Sequence, residues 1–126
     1  MKRGIIAIMI FLICITVSVY CTKKNEAVLN STKEIINEIR LFCENGEKEK
    51  AMKKANELKE EWEKDRIIIE VTLERTNTRQ IETAVILLPL LLENGKTDKA
   101  VEHCYSASSE IDYILDKEKV NFENIF

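Results

Sequence analysis

Apolar positions are distributed along this chain in two different ways. Residues 4–22, GIIAIMIFLICITVSVYCT, form one uncharged run between Lys2 and Arg3 on one side and Lys23 and Lys24 on the other. Beyond that run, apolar residues recur three and four apart, the period of an amphipathic helix. Val28, Leu29, Thr32, Ile35, Ile36, Ile39, Phe42 and Cys43 make a first stripe, predicting a helix from about Glu26 to Asn45 with Glu34, Asn37, Glu38 and Arg40 opposite. Ala51, Met52, Ala55, Leu58 and Trp62 make a second, predicting a helix from about Lys48 to Glu74 with a charged outer face. A third helix opens near Asn77, which stands at capping-box spacing from Gln80, and carries no charge from Thr83 to Leu92. Pro89 removes a backbone donor there and predicts a kink. A fourth follows Gly95, with Thr97 as N-cap and a stripe of Ala100, Val101, Cys104, Ala107, Ile111, Ile114 and Leu115.

Two of the corners are nearly the same sequence. ENGEKEKA at residues 44–51 and ENGKTDKA at 93–100 lie 49 residues apart, each with a glycine where a helix ends most easily in the left-handed conformation. The same offset pairs Thr32 with Ile81, Ile36 with Val85, Ile39 with Leu88, Leu41 with Leu90, Ala51 with Ala100, Ala55 with Cys104 and Trp62 with Ile111. The body therefore reads as two helical hairpins of one design, about 26–75 and 77–117. Tetratricopeptide arrays use a similar turn but at a period of 34, and need about three units for stability. Two longer hairpins bury their stripes by closing on each other. The expected fold is all-α: an N-terminal transmembrane helix, then two long hairpins forming an antiparallel four-helix bundle. An open solenoid is the alternative.

Nineteen helical residues reach about 28 Å, close to a hydrocarbon core of about 30 Å. Residues 1–24 are accordingly read as a signal anchor that contacts membrane lipid through residues 4–22. A cleaved signal peptide shares the charged start, but its core is usually about 7–15 residues and ends in small residues, which this run does not. Lipid modification of Cys21 needs a small preceding residue, and Tyr20 stands there. The flanking charges are nearly balanced; a short charged start that stays inside places the body outside the cytoplasmic membrane, single-pass. Residues 25–117 form the bundle and 118–126 an apolar tail. All but Lys2 and Arg3 of the 19 Lys and Arg fall in the body, against 22 Asp and Glu. That acidic balance excludes the basic face of a nucleic-acid binder.

Chemistry is sparse. There is no phosphate loop, nucleophile elbow or zinc helix, the carboxylates sit on solvent faces, and His103 is the one histidine. No cofactor or metal is implied, and the chain is not expected to be an enzyme. Cys43 and Cys104 fall at apolar helix positions and read as buried thiols, with a single bridge as the alternative in an oxidising compartment. The candidate interaction or pocket residues are Trp62, Leu87, Leu88 and Leu91 of the uncharged third helix, and Phe122, Ile125 and Phe126 of the tail. Trp62 has two readings, a core anchor or the wall of an interhelical pocket.

An anchor of about twenty residues, then STKEIINEI, ENGEKEKAMKKANELKEEWEK, a second helical pair and a closing EKVNFENIF resembles the bacterial membrane-anchored proteins grouped as domain of unknown function 4363. Trp62 in KEEWEK and Asn124-Ile125-Phe126 carry the resemblance most specifically. LERTNTRQIE departs from it, lacking the histidine usual after the second helix. The family supplies no activity; its genes' proximity to those of small integral membrane proteins implies a membrane partner. The expected function is thus a non-enzymatic interaction or accessory module for a membrane protein; the alternative is a bundle that senses a small molecule.

Overall fold

The structure, a computed structural model, describes the backbone of residues 1–72 and 75–125 and the side chains of 1–70 and 78–117. Four helices account for nearly all of it: α1 (Lys2–Glu44), α2 (Lys48–Thr72), α3 (Arg75–Glu93) and α4 (Thr97–Ile125). No strand occurs among the described residues. The apolar run and the first amphipathic stripe, expected as separate elements, are one helix of 43 residues. The charged junction Lys23-Lys24-Asn25-Glu26 does not interrupt it, because charge does not remove a backbone donor; proline does, glycine weakens a helix by its conformational freedom, and neither occurs between Ile5 and Asn45. At about 1.5 Å per residue, α1 extends about 64 Å. Its N-terminal part has mean hydropathy 2.6 and no fully buried residue, and it is long and apolar enough to cross a membrane.

The buried positions follow one rule in every helix. Asn25, Leu29, Thr32, Ile36, Ile39 and Cys43 of α1 alternate steps of four and three. So do Ala51, Ala55, Leu58 and Trp62 of α2, Thr78, Ile81, Val85, Leu88 and Leu92 of α3, where Ala84 is buried in addition, and Ala100, Cys104, Ala107, Ile111 and Ile114 of α4. An average spacing of 3.5 is that of helices packed nearly antiparallel with a slight left-handed twist. Each helix packs against two others: α1 on α2 and α4, α3 on α2 and α4. The contact of the first helix with the last closes the ring, which an open solenoid would not do. Towards the turns the core holds small Ala51, Ala55, Ala100 and Cys104 together with the larger Ile39, Leu88 and Leu92; further from them, Leu58, Trp62 and Ile111 supply the bulk. Alternating sizes let the layers interdigitate.

Both corners superimpose in detail. Gly46 and Gly95 take φ of 76° and 73°. Gly46 N–H donates to Cys43 C=O and Glu47 N–H to Phe42 C=O, at 3.2 and 2.8 Å; Gly95 to Leu92 and Lys96 to Leu91 repeat those values. This is the Schellman pattern. The next helix begins at once, with Ala51 N–H donating to Glu47 C=O and Ala100 N–H to Lys96 C=O. Lys96, not Thr97, is therefore the residue that opens α4, and Thr97 is already helical. The corner is tighter than an N-cap at Thr97 allows: the residue closing α3's last carbonyl also accepts α4's first bond. α3 starts at Arg75, two residues before the expected Asn77, and runs unbroken through Pro89.

Candidate functional site

The 49-residue register makes each face of α3 comparable with the same face of α1. Core positions agree: Ile36 and Val85, Ile39 and Leu88, Cys43 and Leu92 are all buried. The outward positions agree only at Leu41 and Leu90, both exposed. Where α1 carries Asn37, Glu38, Arg40 and Leu41, α3 carries Ile86, Leu87, Pro89 and Leu90. Ile86 is 57% and Leu90 51% exposed, one turn apart on the same flank. Leu87 and Pro89 are half-buried beside them. An apolar residue in an outward position of a helix gains nothing from the core, and i, i+4 apolar pairs are how helices engage grooves on partners.

This placement corrects the candidates from the third helix. Leu88 is fully enclosed in the core and cannot touch a partner. Leu91 packs half-buried against the core cluster. Only Leu87 of the three borders the exposed pair, and Ile86 and Leu90 are the residues that sequence reasoning missed. The signal for them was present, because the repeat sets Ile86 on the position of Asn37, a polar-face residue of the first stripe. Phe122, Ile125 and Phe126 lie outside the residues whose side chains are described.

Trp62 is 3% exposed and packs within the core, so most of its indole serves as an anchor between helices. Its remaining edge meets a shallow groove of ≈ 210 Å³ bordered by Lys59, Arg66, Glu82 and Ile86. Ligand pockets usually begin at about 300 Å³ and are mostly apolar; this groove is small and rimmed by charges.

On the opposite seam, α1 and α4 share a polar cluster that the stripes did not reveal. Arg40 Nη1 donates to the Tyr105 hydroxyl at 3.2 Å and to Glu44 at 3.4 Å, and Tyr105 donates to Glu44 Oε1 at 3.3 Å. Lys33 pairs with Asp112 on the same seam. These are exposed pairs that set register and add at most about 1 kcal/mol each. Beneath them lie Cys43 and Cys104, both reduced and buried. Burial pushes the Cys104 thiol up to about 12, with Cys43 and Glu44 reinforcing the shift and Arg40 opposing it. Cys43 is raised by burial and by Glu44. Thiols held protonated in this way are poor nucleophiles.

The fold and its outward face define a class: a closed four-helix bundle continuous with a helix of membrane-spanning length. Within that class, the chain belongs to the family Domain of unknown function (DUF4363), which it matches over residues 19–125. The match begins inside the apolar run and so takes in the whole bundle together with the C-terminal end of that run. No curated protein and no solved structure matches.

Proposed function

We propose that this protein is a non-enzymatic interaction module, held in the cell membrane by residues 4–22, with its bundle on the extracytoplasmic side and an integral membrane protein as its partner. The observation that carries this reading is the contrast between two copies of one hairpin. α1 carries Asn37, Glu38 and Arg40 on its outward face with Leu41 as its one exposed apolar residue there, whereas α3 sets Ile86, Leu87 and Pro89 opposite those three polar residues and leaves both Ile86 and Leu90 more than half exposed. The bundle closes without them, so their apolar character answers to something outside the chain. A partner in the same membrane suits a body fixed to its anchor by an unbroken helix, since both would meet at constant height. The four core stripes are filled by packing residues, and the carboxylates stay on the surface, which supports a role without catalysis.

Photocrosslinking in cells tests the proposal. A photoreactive residue at position 86 or 90 is expected to capture one discrete membrane protein, and the same residue at exposed Glu57 is not. Equal capture from all three positions, or no discrete adduct from 86 and 90, would remove the reading.

A further inference from the structure

We infer that the lower flank of α2 around Ile67 rests in the headgroup layer of the membrane that α1 crosses, so that the lipid interface is itself a docking surface for the body. The inference builds on the reading of residues 4–22 as a span.

Register supplies the height. Lys54 Nζ meets Glu38 Oε2 at 3.1 Å, which aligns α2 antiparallel to α1. Sixteen residues further along each helix, about 24 Å, Glu70 comes level with Thr22, the last residue of the apolar run. The two helices stay side by side over that distance, since Lys24, Ala27, Val28 and Ser31 line one groove with Glu61 and Asp65. Ile67 is then level with Asn25, about 4.5 Å outside Thr22. A bilayer of about 40–45 Å with a hydrocarbon core of about 30 Å leaves about 5–7 Å of headgroup layer on each side. Ile67 falls within it.

Two further observations hold the body there. Residues 1–14 are exposed throughout, but Val19, Cys21 and Thr22 are half-buried, so the bundle covers the outer end of the span rather than standing clear of it. And α1 has no hinge: it is helical throughout, and Thr16 and Thr22 donate their hydroxyls to the carbonyls of Leu12 and Ser18 at 2.8 and 2.9 Å. At that height Ile67 is 75% exposed, more than any other large apolar residue described beyond the span. Glu60, Glu63, Lys64, Arg66 and Glu70 around it carry both signs, so apolar insertion at the lipid boundary, not charge attraction, makes the contact.

The test uses the full chain in phosphatidylcholine vesicles, with a genetically encoded dansyl-bearing residue at position 67, at position 60 or at position 12. Glu60 lies two turns above Ile67 on nearly the same face and is the aqueous control; Leu12 marks the span. A lipid bearing a nitroxide at its headgroup is expected to quench position 67 at least threefold more than position 60, while a deep acyl nitroxide quenches position 12. Equal, weak quenching at 67 and 60 with position 12 quenched would overturn the inference and leave the anchor standing. An unquenched position 12 would remove the span, and the inference with it.

Discussion

Replacing either corner glycine by alanine isolates a single energetic effect. An added Cβ at Gly46 or Gly95 meets nothing within 4 Å, so no clash contributes. What remains is backbone strain, because φ of 76° and 73° lies in the left-handed region. That conformation costs an L-residue roughly 1–2 kcal/mol. The Schellman bonds that close each corner hold the residue in place, so the cost is not relieved by relaxation. Gly46→Ala and Gly95→Ala are each expected to destabilise the bundle by about 1 kcal/mol, and by equal amounts because the corners are equal. In a body of this size that corresponds to a melting point lower by about 4–8 °C. The double variant should lose about twice as much, since the corners share no residue, and Asn in place of Ala should cost less because it tolerates the left-handed region. The assay is urea unfolding of the full chain in detergent micelles, followed by the fluorescence of Trp62, the one tryptophan, with an unchanged m-value as the check on mechanism. A neutral substitution at either glycine, or a difference between the two above about 1 kcal/mol, would refute the equivalence of the hairpins.

Three other outcomes follow from the packing. Trp62→Ala empties a large buried site and is expected to cost about 3–5 kcal/mol in urea unfolding followed by far-ultraviolet circular dichroism, whereas Trp62→Phe should cost markedly less. Ile86→Lys and Leu90→Lys, both outward-facing, should leave stability within about 0.5 kcal/mol while abolishing the crosslinks made from the neighbouring position. The Cys104 thiol gives a pH dependence of definite sign. Its folded-state value stands at about 12 against an ordinary 9.0, so below about pH 9 folded and unfolded chains both keep the proton and the group adds no slope. Above that the unfolded chain ionises first, and stability falls as pH rises towards 12, by up to about 4 kcal/mol. Comparison with Cys104→Ala separates this slope from that of the tyrosines: the variant should be less alkali-sensitive than the parent.

Much of the bundle is legible in the sequence because its signals are local and repeated. The 3.5-residue stripes name the buried set nearly residue by residue, and the two Glu-Asn-Gly corners mark where helices stop. Three features escape a local reading. The junction at Lys23 to Glu26 looks like a boundary because composition changes there, yet nothing in it breaks hydrogen bonding, and α1 continues. The exposed face of α3 is hidden by its uniformity: in an all-apolar helix, hydrophobicity alone does not say which side is inward, and Leu88 looks as available as Ile86. Only comparison with α1 at the 49-residue offset, or the packing itself, separates them. The Arg40–Glu44–Tyr105 cluster depends on α4 lying beside α1, a contact between the two ends of the chain that no short-range pattern encodes.

The account depends most on where the body stands, and one labelling experiment addresses that. Cys43 and Cys104 are buried and Cys14 and Cys21 lie within the apolar run proposed to cross the membrane, so the native chain should stay silent to a membrane-impermeant maleimide on intact cells. Glu60→Cys adds a single exposed thiol on the charged face of α2. An extracytoplasmic body predicts that this variant is labelled in intact cells as fully as after lysis. Labelling only after lysis would put the bundle in the cytoplasm and contradict the account.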